Sequence, residues 1–435
     1  MLKRLGPSVI PAGEAAGAAL FPSKLEFNPP AHGTWNIVHI GMLVPEAHQI
    51  YVCAVNCMRG VVLTAAEMGA SERFSCVVLR EEDITRGTVG EVTRRGIADV
   101  LRKLPKLPPC VIVFPVCTHH FLGVNMAPVY RDLEREFPTV DFVRAFMDPV
   151  FRKRLPPDHR LRKVMYDPLP PCEAEPGRVC LLGSDYAPEP DSDLRRLLSS
   201  GGIVYTDIQS CGTYAEYKAL SRAETFLCIT PAGRYGAEKT AQRLGRRFLY
   251  LPMSFSCGEI MAQEELLCEA LSLPLPDFAD EIRRCDEALA QAREEIGGAP
   301  IAIDASAHPR PLGLARLLLE HGFHVTEVYL DAVSGEEEGD LAWLRENAPE
   351  LALSSIILPE MRVAPRFRPE KTLAVGQKAA WFTGSEHFVN LVQGGGLWGF
   401  AGVRSMARLM LEAWREKKDA RDLIPRKGWG CESCI

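Results

Sequence analysis

The sequence has no GxxxxGK[ST] segment, so it lacks the glycine-rich backbone cradle and lysine of a phosphate loop, and ATP is not expected to bind here by that device. No apolar run reaches the roughly 18 residues that span a bilayer. Positive charge is not in excess: 50 Lys and Arg stand against 56 Asp and Glu, for a formal net charge of −6, which argues against general nucleic-acid affinity. No low-complexity segment occurs. A secretory signal needs a compact hydrophobic stretch. In MLKRLGPSVIPAGEAAGAALF that stretch is interrupted by Pro7, Pro11, Gly13 and Glu14, so residues 1–34 read as a loosely structured arm and the expected location is cytoplasmic.

What is present is a globular composition, 47% hydrophobic and 24% charged, in a chain of 435 residues that is too long for one ordinary core. The cysteine content is high, at 14. In a reducing compartment cysteines are buried small hydrophobes, catalytic groups or metal ligands more often than disulfides. Cys180 in RVCLLGS, Cys110 in CVIVFPV and Cys228 in TFLCIT stand in strand-like runs and read as core residues on their immediate context.

Strand-like and helix-like segments alternate along most of the chain. WNIVHIGML, QIYVCAV, RFSCVVL and CVIVFPV are short apolar runs rich in β-branched residues. Between the last two, Ile97, Val100, Leu101 and Leu104 recur at helical spacing, and Pro105 and Pro108 end that helix. RVCLLGS, IVYTDI, TFLCIT and RFLYLPM then alternate with helical segments, as do PIAIDAS, HVTEVYL and SSIIL, with KTLAVG and AAWFTGS as further strand candidates. Such alternation marks doubly wound parallel sheets. The expected architecture is α/β with three Rossmann-like parallel-sheet domains at residues 35–170, 177–298 and 299–417, and a polar tail at 418–435.

Ligands of open parallel sheets collect outside the carboxyl ends of the strands. Cys53 ends QIYVCAV, Cys57 lies at the start of the next helix, and Cys117 ends CVIVFPVC. Topology therefore places three thiols at one sheet edge. A helix start favours a thiolate, and thiolates suit iron or zinc. No local CxxC pair occurs there, which disfavours a zinc ribbon. The competing reading is that Cys53 is core and the alignment is chance. His119 and His120 follow Cys117 and read as a surface pair or as groups near a metal edge. Cys431 and Cys434 form a terminal CxxC that suits metal, redox exchange or docking on a partner. The glycine run GGGLWGFAG at residues 394–402 reads as a flexible loop over a pocket.

The segments IYVCAVNCMRG, REEDITRGTVGEVTRRGIADVLRKLP and CVIVFPVCTHHFLGVN follow one another in the order found in nitrogenase component 1 and its relatives. There an HGpxGC-like segment, an acidic segment, a helix and a strand ending in TC supply cluster cysteines. The chain resembles that family over residues 35–414, with closest likeness to the dark-operative protochlorophyllide reductase subunits. RVCLLGS, TFLCITPAGRYGAEKTAQRLGRRFLYLPM and GGGLWGFAG resemble its later segments.

The resemblance implies that Cys57 and Cys117 hold an iron–sulfur cluster, [4Fe–4S] or larger. The family's earlier cluster cysteine is missing from FNPPAHGTWN, so His32, Cys53 or a partner subunit would complete the site. Cys228 falls where nitrogenase holds its active-site cofactor, and His387 falls near the cofactor histidine, in a longer loop. A second metallocofactor or a tetrapyrrole substrate is left open. The implied activity is that of a nitrogenase-like oxidoreductase subunit. Its partners would be an ATP-dependent iron–sulfur reductase and a homologous sister subunit or second copy, with neither nucleic acid nor membrane. The alternative is a scaffold on which an iron–sulfur cofactor is matured.

Overall fold

The computed structural model describes residues 8–22, 25–27, 29, 31, 33–34, 36–147, 155–364 and 370–419. They form two compact units. One comprises the described parts of residues 35–187 and 203–252, the other those of residues 1–34, 188–202 and 253–428.

The first of these units holds two four-stranded sheets, each wholly parallel. In one, the spatial order is Phe74–Val78, Ala47–Cys53, Cys110–Pro115, Asp141–Arg144. The two central strands are buried at every residue, as expected where helices cover both faces. Successive side chains alternate between faces. Ile50 and Val52 join Val111 and Val113 in one core, under the helices Val89–Lys103 and Met126–Glu136. Tyr51 and Cys53 join Ile112 and Phe114 in the other, with the Tyr51 ring stacked on Phe114 at 4.3 Å. In the second sheet the order is Val204–Asp207, Glu175–Leu181, Ala223–Cys228, Arg247–Tyr250. Its first strand in sequence is central, so the chain switches direction between Glu175–Leu181 and Ala223–Cys228. Just beyond, the backbones of Gly183 and Gly233 touch, and a β-carbon on Gly183 would lie 2.5 Å from the Gly233 Cα.

The other unit carries a six-stranded sheet in the order Val9–Pro11, Ala352–Ser354, His324–Tyr329, Pro300–Asp304, Leu373–Val375, Phe388–Val389. Only the first pair is antiparallel. The helices Cys257–Leu271 and Phe278–Ile296 pack in this core through Ile260, Cys285, Leu289 and Ile296.

Four expectations from sequence are corrected. WNIVHIGML contains a helix, Ile37–Met42, not a strand: the Asn36 side chain accepts from the Val38 N–H at 2.9 Å, and the His39 ring accepts from the Asn36 N–H. AAWFTGS belongs to the helix Gln377–Thr383, whose start is held by Asp304 Oδ2 accepting from the Ala379 N–H at 2.8 Å and whose end is set by left-handed Gly384. SSIIL pairs only as far as Ser354, because Asp331 Oδ1 takes the Ile356 and Ile357 N–H groups that would continue the ladder. Within the N-terminal segment, Val9–Pro11 is an ordered edge strand paired with Ala352–Ser354. Among the described residues, no helix is long and apolar enough to cross a membrane.

Candidate functional site

At the carboxyl edge of the first sheet, two hydrogen-bonded parallel strands each lead into a helix that begins with a cysteine in its first turn. Cys57 is the third residue of Val55–Glu67 and is exposed; Cys117 opens Cys117–Phe121 and is half-buried. Neither helix start has a side-chain oxygen cap; the Cys57 N–H turns back to the Ala54 carbonyl and the His119 N–H to the Val116 carbonyl, each at 3.0 Å. Cys53 is placed differently. It is the last residue of its strand, fully buried in the core beside Tyr51 and Phe114, and burial pushes its thiol up to about 12. His32, Cys431 and Cys434 lie outside the described residues.

The pair after Cys117 divides. His119 is buried: its Nδ1 accepts from the Val116 N–H at 3.3 Å, so Nε2 carries the hydrogen and donates to Thr93 Oγ1 at 2.9 Å. Thr93 in turn donates to the Val89 carbonyl at 2.7 Å. Burial holds His119 neutral, lowering it to about 4. It is thus a strut between the Cys117 turn and the helix Val89–Lys103. His120 is exposed.

The rim of this edge carries exposed apolar side chains among polar ones. Phe121 is 70% and Val55 65% exposed, and Ile84 and Leu122 line a cavity of about 440 Å³. Exposed large apolar groups gathered at one edge suit contact with another chain.

At the second sheet, Cys228 is fully buried and its thiol donates to the Thr230 carbonyl at 3.2 Å. In the other unit, His387 precedes the edge strand Phe388–Val389 at its amino end, where its Nδ1 donates to the Ala413 carbonyl at 3.0 Å. The carboxyl edge of that sheet carries groups the sequence reading passed over. Asp304 ends the central strand and accepts from the backbone of Ser306, Ala307 and Ala379. Lys378 stands in the first turn of the helix that follows the neighbouring strand; burial lowers it, while Asp304 and Asp331 act the other way. The signal was faint: an Asp closing PIAID and a Lys three residues after a strand, 74 positions apart.

Among the described residues no group of three or more His, Cys, Asp or Glu side chains is arranged to hold a metal ion. A four-thiolate cluster enclosed by these residues alone therefore does not fit. Cys57, exposed, and Cys117, half-buried, are two thiols that follow adjacent parallel strands at this edge.

No family model and no curated protein matches the sequence. Solved structures do. That of nitrogenase Cp1 at pH 6.5 superposes with a TM-score of 0.66 over 95% of this chain and 96% of its own, at 12% identity. Nitrogenase Cp1 at pH 5 gives a TM-score of 0.60 over 95% and 94%, also at 12% identity. The chain is an α/β protein with three sheets built from parallel strands and has the nitrogenase component 1-like fold.

Proposed function

We propose that the chain is a nitrogenase-like reductase subunit, cytoplasmic, that pairs with a second copy or a sister subunit across the edge carrying Cys57 and Cys117. These two thiols would hold part of an iron–sulfur cluster, [4Fe–4S] or larger, which when bound supplies one-electron chemistry. The partner chain would provide the remaining ligands, and an ATP-dependent iron–sulfur reductase would be the electron donor. The observation that carries this reading is the placement of Cys57 and Cys117 in the first turns of helices following adjacent parallel strands, within a component 1-like fold. In it, the chain's own groups position and shield: the Val116–His119–Thr93 hydrogen bonds fix the Cys117 turn, and Val55, Phe121 and Leu122 exclude water once the partner covers them. The division into three domains at residues 35–170, 177–298 and 299–417 belongs to the same reading.

A second reading, a scaffold for iron–sulfur cofactor maturation, draws support from Cys228 and His387. Both hydrogen-bond to backbone carbonyls, so neither is poised as a cofactor ligand without rearrangement. The two readings separate on one experiment. Anaerobically purified chain is mixed with an ATP-dependent iron–sulfur reductase, ATP and dithionite. A reductase subunit oxidises the donor continuously when its substrate is present, whereas a scaffold takes up electrons once and stops.

A further inference from the structure

The helix Cys257–Leu271 buries Ile260, Glu264, Leu267 and Cys268, so a carboxylate stands on its apolar face. Glu264 is 1% exposed, and its Oε1 has no hydrogen-bond partner among the described residues. A buried carboxyl oxygen without a partner is costly, and a leucine at this position would avoid that cost. Two further carboxylates stand beside it, and both are matched. Asp193 accepts from the Ala401 N–H at 2.7 Å and pairs with Arg196. Glu281 accepts from Arg196 at 3.0 Å and from Arg404 at 2.5 Å, with Arg284 at 3.4 Å. No basic side chain among the described residues pairs with Glu264. It lines a cavity of about 230 Å³, which Asp193, Arg196 and Glu281 also border and whose remaining wall is largely apolar: Leu197, Pro274, Leu275 and Pro276.

We propose that this cavity binds a small organic cation, with its ammonium or amidinium group on Glu264 and its hydrocarbon part against Leu197, Pro274, Leu275 and Pro276. Asp193 and Glu281 are already matched by Arg196, Arg284 and Arg404, which leaves Glu264 as the lining carboxylate without a basic partner, and no described side chains are arranged to hold a metal ion. The site is set against the glycine loop: Gly399 has φ +71°, and a β-carbon there would run into Asp193 Oδ2. Burial, then the charges of Asp193 and Glu281, raise Glu264 to about 8, with Arg196 and Arg404 opposing; on its own helix Cys268 also faces it. Below that pH an entering cation must displace a proton. Affinity should therefore rise about tenfold per pH unit between about pH 6 and 8, then level off.

The test is calorimetric titration of the full chain with n-butylammonium chloride at about pH 6.5, in two buffers of different ionisation enthalpy, with 1-butanol as the neutral comparison. Saturable binding to one site is expected, with close to one proton released and no comparable binding of butanol. Glu264→Gln should weaken binding at least about tenfold. Leu275→Trp, at a 60% exposed rim position, should block it with Glu264 intact. The second variant decides the matter if the first does not fold. Absence of saturable binding to the wild-type chain, equal affinity in wild type and Leu275→Trp, or binding without proton release would overturn the proposal.

Discussion

His119 Nε2 donates to Thr93 Oγ1 across 2.9 Å of buried space, tying the turn that begins at Cys117 to the helix Val89–Lys103 at a residue 26 positions upstream of the histidine. The ring must stay neutral to do this, since Nδ1 is already an acceptor for the Val116 N–H. His48, lowered to about 4, and His308, lowered to about 3, are likewise held neutral by burial. For each, the folded value lies below the unfolded value near 6.5, so the unfolded chain binds protons first as the pH falls. Their contribution to stability is complete above about pH 6.5 and is lost as the pH drops towards 4. His119→Gln should cost roughly 1–3 kcal/mol at pH 7 and flatten the acid limb of a urea-unfolding stability profile.

Glu264 works in the opposite sense. Its folded value, about 8, lies above that of the unfolded carboxyl, so its proton is retained on folding and stability falls as the pH rises from about 4.5 to 8. Glu264→Gln should therefore gain stability over wild type across that window, on the order of 3 kcal/mol at its upper end. Urea melts of both proteins at pH 5 and pH 8 read the difference; a constant offset between them would contradict the assignment.

Gly183 has φ +80° and presses on the Gly233 backbone at the direction switch of the second sheet. Alanine there meets both a strained backbone and a backbone wall that cannot turn aside. Gly183→Ala should cost about 3 kcal/mol or more, seen as a lowered denaturation midpoint.

Cys53 separates packing from ligation. Its thiol is fully buried in the face shared with Phe114, so Cys53→Ala should lower stability by about 1 kcal/mol through lost contacts and leave iron content unchanged. Loss of iron in this variant would restore Cys53 as a ligand.

Much of the fold could be read from sequence because its central strands are largely apolar runs separated by amphipathic helices. Ala47–Cys53 and Cys110–Pro115 are buried throughout, and helix Val89–Lys103 turns Ile97 and Leu101 inward as their spacing predicts. The misread segments, Ile37–Met42 and Gln377–Thr383, also carry apolar residues, but their conformation is set by polar contacts at their starts, around Asn36 and from Asp304. Periodicity does not see those. Cys57 and Cys117 were legible because topology alone brings the ends of neighbouring strands to one edge. Asp304 and Lys378 were not, because no local pattern marks two groups that meet only through strand pairing. Glu264 is marked in the sequence only by its place on a stripe of Ile260, Leu267 and Cys268.

The central claim is that Cys57 and Cys117 hold part of an iron–sulfur cluster. Its most direct test is iron content and the visible and electron paramagnetic resonance spectra of anaerobically purified wild-type, Cys57→Ala and Cys117→Ala chains. The account predicts iron and a cluster spectrum in the wild type, and loss or conversion of both in each variant. A wild-type chain without iron, or two variants with full iron and an unchanged spectrum, would contradict it.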